Sequence, residues 1–532
     1  MVITSRREII VLSILGLVAS TAVQASTYFV SLSGKDTNPG TLAAPWQTLQ
    51  RAANVAKPGD QVQVRGGTYK QRTVIQVNGT ASAPIVFTNC NGEQVIYDLT
   101  GVAPVANLSA IIRVSNRSYV TIKGFTLRNY KTADARQVPA AILIDGACKG
   151  VKIVGNVISA IEQNNATPYN FNANAHGIAV YGTAAGAIDG LEITDNSVSN
   201  LRLGASEAIA LNGNVTNFLV ARNLVQNCNN IGIDVIGFEG TNGNASLDRA
   251  RNGRITGNTV ISIDSSRNPA YGGNFTTGGG GYAAAGIYVD GGTNVVIDGN
   301  DVYGCNLGIE LGCEHLKGKT DNVVVSDNLV RHNYLAGISL GGYDEQSGAT
   351  ENCTVVNNTI YQNGVRDHSA GQIQFQFYAR KNIFLNNILW ASSAEKMMVV
   401  HNPDSTSASK AQKEIGAGNI FSYNLYYASG ATSSNCVFRV FTAGSFKNYV
   451  GLTAWRNSGK GGVELGTLVA NPKFSGSAPN YGAARTLFKL ASGSPAINKG
   501  SPTLGVGSSE VDLFELKRLV GGRIDIGACE SQ

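Results

Sequence analysis

Proline, charge and helix-forming runs are all scarce in this chain. Only 13 of 532 residues are proline, although 63 are glycine, so the glycine does not mark a proline-rich disordered linker. Charged residues make up 15%, and no run of Lys and Arg points to nucleic acid. Stretches rich in Ala, Leu, Glu and Lys are largely missing, which excludes a protein of long helices. The eight cysteines include no CxxC pair and the five histidines no tight pair, which speaks against zinc. Past the N-terminus no apolar run is long enough to span a membrane. What remains is a chain of many short strands joined by Gly and Asn turns. The net charge of +6 suits an anionic glycan without requiring one.

The first residues read as an export signal, residues 1–25. Arg6 and Arg7 precede an apolar run from Ile9 to Val18, and Val23-Gln24-Ala25 before Ser26 is a small-residue cleavage site. A secreted protein, periplasmic or extracellular, is the expectation. That compartment permits disulfides. Cys228 and Cys305 occupy matching places in the repeat described next, which predicts buried stacking, and Cys305 with Cys313 is a candidate bridge.

One pattern recurs through the middle: β-branched residues, an Asn, then an apolar pair. It appears at Asn156, Asn196, Asn223, Asn258, Asn300, Asn328, Asn358 and Asn387, at intervals of 27 to 42 residues. Unequal intervals suit a short coil lengthened by loops at fixed corners, whereas propeller blades would be more uniform and leucine-rich repeats would need a leucine ladder. Asn tolerates the left-handed backbone of a corner, and stacked Asn amides can bond from coil to coil. A second strand series aligns as HGIAVYG (His176), EAIALNG (Glu207), IGIDVIG (Ile231), AGIYVDG (Ala285), LGIELGC (Leu307) and AGISLGG (Ala336). The Ile after each Gly or Ala should face the core. The outward columns are then Ala179, Ala210, Asp234, Tyr288, Glu310, Ser339 and Tyr181, Asn212, Ile236, Asp290, Gly312, Gly341. The fold class is all-β, a parallel β-helix solenoid. WQTLQRAANVA reads as a short capping helix within an N-terminal cap and first coil, 26–75. The β-helix proper follows over 76–465 and a closing segment over 466–532.

At this point a family resemblance becomes specific. TYFVSLSGKDTNPGTLAAPWQTLQRAANVAKPGDQVQVRGGTY resembles the opening of secreted right-handed parallel β-helix proteins of the pectate-lyase-like superfamily. NPKFSGS, SPAINKGSP and DIGACE resemble its usual ending. The resemblance implies a right-handed coil and a carbohydrate ligand. It does not select a reaction, because the superfamily holds lyases, hydrolases, epimerases and esterases.

The chemistry is sought in outward acidic residues that the fold does not need. Asp290 and Glu310 lie on neighbouring coils, two residues apart along the strand, which puts their carboxyl groups roughly 5 to 8 Å apart. Glycoside hydrolysis needs one protonated acid and one carboxylate. Clustered acids raise one another's pKa, so Glu310 is the candidate acid and Asp290 the nucleophile or base. Asp234, Glu314 and Asp344 are supporting acids. This pair is similar to the Asp and Glu on adjacent coils of β-helical xylosidase- and fucosidase-type hydrolases. The long loops 238–254 and 264–284, with GGYDEQSG from Gly341, flank these strands and predict a cleft. Phe238, Glu239, Tyr288, Tyr343, His176 and His315 are candidate substrate contacts, with Tyr271, Phe275 and Tyr282 as further stacking rings. Arg249, Arg251 and Arg267 would suit carboxylated sugars. Clustered Asp and Glu admit a bound calcium ion, while nothing calls for an organic cofactor. The first alternative is a calcium-dependent uronate lyase, weakened by the absence of any lysine between Lys152 and Lys317. The second is a glycan-binding surface protein without catalysis.

Overall fold

The structure, a computed structural model, describes residues 25–532 apart from 106, 345, 368–369, 393–396, 402–417, 443–444, 462–463, 477–478 and 503–509. The export signal expected over residues 1–25 thus lies almost wholly outside the described residues.

Each coil contributes to three sheets in a fixed order. Val120–Lys123 joins the first sheet, Phe125–Thr132 the second and Gln137–Asp145 the third, and the next coil repeats the circuit. Coil pairs with coil in parallel register throughout, as in Ile178↔Ile209↔Ile233↔Ile287↔Ile309↔Ile338 of the third sheet. All six isoleucines are fully buried, and with their counterparts they form one apolar core running from Val30 to Trp455. The protein is a right-handed parallel β-helix, as the repeat and the resemblance together predict.

The recurring Asn residues form a continuous ladder at the corner between the first and second sheets. Asn156 Nδ2 donates to Asn196 Oδ1, and the same bond repeats through Asn223, Asn258, Asn300, Asn328, Asn358, Asn387 and Asn424 at 2.9–3.0 Å. Each Oδ1 also accepts the backbone N–H of the Asn one coil earlier. One expectation needs correcting. The left-handed residue of the corner is not the ladder Asn but the residue before it: Gly155, Asp195, Arg222, Gly257, Gly299, Asp327, Asn357, Asn386 and Tyr423 all have φ between 52° and 64°. The ladder Asn is therefore required for its amide, which saturates buried backbone groups, and its neighbour absorbs the strain of the turn.

All eight cysteines are buried and unbridged, so the Cys305–Cys313 disulfide does not form. Cys305 instead packs in the core with Cys228, where burial pushes both thiols up to about 12.

At the N-terminal end the helix Leu49–Val55 buries Leu49, Ala52 and Ala53 against the first strands of the stack, and Thr48 Oγ1 caps it by accepting from Arg51 N. At the other end the strand Ser445–Val450 turns antiparallel to Val437–Thr442. The short helix Leu452–Asn457 follows, and its Trp455 stacks on Phe438 at 4.7 Å. Beyond Leu468–Val469 the chain folds back along the outer face of the second sheet. There Phe474, Phe488 and Ile526 pack on Tyr361, Ile388 and Trp390. Arg331, buried and paired with Asp301 at 2.9 Å, donates to Tyr481 O and pins this segment down. The second sheet is thereby covered, the first carries alternating side chains, and the outer face of the third is left to its loops.

Candidate functional site

The outward face of the third sheet carries three columns of side chains, not two. Strict alternation breaks near each strand start, where two successive residues face inward: Gly177, whose added Cβ would strike Val198 and Leu201, and Ile178. The residue before the glycine therefore faces out, giving a column His176, Glu207, Ile231, Ala285, Leu307, Ala336. Its apolar members pack around Tyr288. The register confirms the other two columns. Ala210 pairs with Asp234, Asp234 with Tyr288, Tyr288 with Glu310 and Glu310 with Ser339, while Asp290 lies opposite Gly312. A Cβ on Gly312 would come within 2.9 Å of the Tyr288 hydroxyl, so glycine here makes room for that ring.

This geometry gathers seven carboxyl groups from separate coils and turns: Glu207, Asp234, Glu239, Asp290, Glu310, Glu314 and Asp344. Asp234 and Asp290 are 2% and 3% exposed, Glu207 and Glu310 half-buried, and Glu239 and Glu314 exposed at the mouth. Burial, with Glu314 nearby, raises Glu310 to about 8. Burial and then Glu314 hold Asp290 well above the usual carboxylate range, and burial and then Glu207 do the same for Asp234. Glu207 is raised by burial and by Glu239. Glu314 is raised to about 7 by its low-dielectric surroundings and by Glu239 and Asp344, although much of its surface meets solvent. The charges acting on each of these groups are other carboxylates. A face of this kind holds protons at neutral pH.

The hydrogen bonds within it are few. Asp290 Oδ1 accepts from Glu314 N at 2.8 Å, and Glu239 Oε2 accepts from Asn212 Nδ2 at 2.6 Å. His176 lies between Glu207 and Tyr181: Nδ1 is 3.2 Å from the Glu207 carbonyl and Nε2 3.2 Å from the Tyr181 hydroxyl. Burial lowers this imidazole to about 4, so it is neutral. Three buried oxygens on the face, Asp234 Oδ1, Asn212 Oδ1 and Ser339 Oγ, meet no partner.

Loops wall the face on two sides. Chain entering the third sheet supplies Tyr169, Phe171 and Tyr271, and chain leaving it supplies Glu239, Glu314 and Tyr343. Tyr271 is half-buried over the face, its hydroxyl raised by burial and by Glu314, Glu207 and Glu310. Not every expected contact residue is open to a ligand. Phe238 is packed beneath the Arg249 guanidinium, 5.2 Å away, and against Gly291 and Gly318. Tyr288 is 5% exposed. Asp344 caps its own loop, accepting from Gln346 N and Ser347 Oγ. His315 sits on the turn beside Glu314, where its carbonyl accepts from Gly318 N. Arg249 is tied into the fold through Nε and Nη2, which donate to Asp321 and to the carbonyls of Gly291, Gly292 and Lys319. Arg251 donates to Asn214, and Arg267 is exposed. Glu207 is the residue the sequence reading overlooked. Its signal was its place opposite His176 at the head of an aligned strand. Among the described residues no three His, Cys, Asp or Glu side chains meet as a metal-binding group.

Comparison with known proteins places this architecture. The chain is 35% identical over 422 residues to the uncharacterized protein YwoF of Bacillus subtilis, covering 79% of this chain and 84% of that one. The chain belongs to the family of YwoF, and its fold is a right-handed parallel β-helix. A family model described as a Pel9A-like right-handed β-helix region matches residues 28–174, the coils that precede the acidic face. Pectate lyase PEL9 of Emericella nidulans is 44% identical over 79 residues, which is 14% of this chain and 19% of that enzyme. Among solved structures, a GH136 lacto-N-biosidase from Eubacterium ramulus superposes with a TM-score of 0.48 at 14% identity, over 69% of this chain and 64% of the other. Among the described residues no helix is long and apolar enough to cross a membrane.

Proposed function

We propose that this protein is an exported carbohydrate-active enzyme that hydrolyses glycosidic bonds, with Glu310 as proton donor and Asp290 as the second carboxylate. The observation that carries the reading is the pairing of a half-buried Glu310, raised to about 8, with Asp290 one coil away and two residues along. Diagonal neighbours of this kind have backbones about 7–8 Å apart, which suits two carboxyl groups flanking a scissile bond. Glu310 keeps its proton at neutral pH and delivers it to the leaving oxygen. Asp290 must first give up its proton, and the N–H of Glu314 that it accepts favours its ionised form; as a carboxylate it then attacks the anomeric carbon or activates water as positive charge develops on the sugar. The basic and then apolar residues from Arg6 to Ser26 support export.

A second reading has one specific support. The 79-residue likeness to a pectate lyase and the Pel9A-like match favour a calcium-dependent uronate lyase, with the same carboxylates holding the ion. Against it, the matched family region ends at residue 174, ahead of the acidic face, and Arg249 is too constrained to serve as the base. Incubation with plant, algal and bacterial polysaccharides, with calcium or chelator, separates the two. New reducing ends without ultraviolet-absorbing unsaturated uronates, indifferent to chelator and lost in Glu310→Gln, are expected. Unsaturated products that depend on calcium would establish the lyase instead.

A further inference from the structure

The acidic face extends beyond the Asp290–Glu310 pair, toward the loop that carries Tyr169 and Phe171, and that extension has no role in the proton chemistry above. Asn212 and Asp234 lie here, 1% and 2% exposed, and Asn212 Oδ1 and Asp234 Oδ1 both lack a donor. Buried acceptors without donors are unfavourable in a free protein and are rarely kept without a reason. Three arginines of the surrounding segments are engaged elsewhere. Arg249 is held by Asp321 and three carbonyls, Arg251 donates to Asn214, and Arg202 donates to Asn164 under the Phe275 ring. On the rim, Tyr169 is 69% and Phe171 58% exposed, high values for large rings. Both residues touch the loop that carries Tyr271. Phe171 meets the edge of Tyr271 at 6.0 Å, and Tyr169 N donates to Pro269 O at 2.9 Å.

We infer that this stretch is a sugar subsite and that its ligand is an uncharged glycan, whose hydroxyls donate to Asn212 and Asp234 while a ring face stacks on Tyr169 or Phe171. The inference rests on the glycan-cleaving reading and names its substrate class. A uronate would bring an anion onto a face whose burial already disfavours charge on Glu207 and Asp234, while Arg202, Arg249 and Arg251 are each engaged elsewhere. The +6 net charge of the chain, which suits an anionic glycan without requiring one, is not expressed among the acids of this face. Exposed aromatics beside unpaired acceptors match a neutral sugar, which offers an apolar ring face to the aromatics and hydroxyl donors to the acceptors.

The test uses the full chain carrying Glu310→Gln, applied to an array of uncharged and uronate-bearing oligosaccharides, once with chelator and once with calcium. Retention confined to uncharged glycans is expected. In calorimetric titration of the tightest array ligand, Phe171→Ala and Tyr169→Ala, both at exposed positions, should each weaken binding about two- to tenfold. Asn212→Ala should weaken it further. Binding to uronates, with or without calcium, overturns the inference, as does silence across the array. Full affinity in both aromatic variants removes the rim from the subsite. The failure of the hydrolase reading looks different: an uncharged glycan bound by the variant that the unmodified protein does not cleave. Cleavage of a uronate polymer to ordinary reducing ends would keep the hydrolase and sink the neutral subsite.

Discussion

The same coils bury two sets of polar groups, and the two are treated in opposite ways. At one corner the ladder amides satisfy one another: Asn258 Oδ1 accepts from Asn223 N and Asn223 Nδ2, and its own Nδ2 donates to Val220 O and Asn300 Oδ1. On the outer face of the third sheet, Asp234 Oδ1, Asn212 Oδ1 and Ser339 Oγ meet nothing, and acids of like charge crowd together. An unpartnered buried polar atom costs about 1–3 kcal/mol, so three on one face are a standing cost that a ligand with hydroxyl donors would relieve. The difference separates architecture from chemistry within one solenoid. The ladder pays for the corner, while the acidic face is held in readiness for a ligand.

The comparison breaks most visibly if the acidic face proves structural. Glu310→Gln should lower turnover on the protein's glycan by about 10^2- to 10^4-fold, the usual contribution of a positioned acid. Its thermal midpoint should stay level or rise, because a crowded carboxyl has been removed. Steady-state kinetics and a melting curve on the same preparation test this. A variant that loses stability together with activity would mean that the face supports the fold.

The ladder should respond the other way. Asn258→Ala deprives Val220 O and Asn223 N of their partners inside a dry corner, and a loss of about 2–4 kcal/mol is expected from denaturant unfolding. A loss below about 0.5 kcal/mol would show that the amide ladder is dispensable and that the apolar core alone sets the coil register.

How far the sequence discloses these two regions differs for a physical reason. A ladder residue must recur wherever the corner recurs, so Asn156 to Asn387 stand out as a repeat, and period-two alternation then places Asp234, Tyr288 and Glu310 in one column. Glu207 escaped notice because the alternation breaks at Gly177 and its equivalents, where two residues in a row face the core. The left-handed positions were misplaced by one residue because Gly, Asp, Arg, Asn and Tyr all occupy them, and a position filled by so many types has no signature. Loop packing is still less legible. Nothing in the local sequence announces that Phe238 lies under Arg249, or that Arg249 closes on Asp321, a partner 72 residues away.

pH should distinguish the regions more gently. Glu310, Asp290, Asp234 and Glu207 all have folded pKa values above their unfolded ones. Between the unfolded carboxylate range near 4 and about 8, the folded protein therefore binds more protons than the unfolded chain. The stability these groups contribute is complete below pH 4 and is lost as pH rises through the folded values. The thermal midpoint should fall by about 2–5 °C between pH 5 and pH 8, and Glu310→Gln should flatten the slope. Turnover should carry an alkaline limb near pH 8, where Glu310 gives up its proton. A midpoint that rises over this interval would indicate that cations or hydrogen-bond donors compensate the acids.

The smallest expected effect is the sharpest discriminator. Ser339 lies between Glu310 and Gln374 in the central column, fully buried, with its hydroxyl oxygen unpartnered. Ser339→Ala removes one orphan atom and creates almost no cavity, so stability should be unchanged or rise by up to about 1 kcal/mol. A ladder position cannot behave this way, because every atom there has a partner to lose. If calorimetry shows that Ser339→Ala is neutral for the free protein yet weakens glycan binding, the hydroxyl is a group reserved for the ligand. If the substitution instead costs more than about 1 kcal/mol, Ser339 is satisfied within the fold, and the acidic face is closer in kind to the ladder than the contrast between them implies.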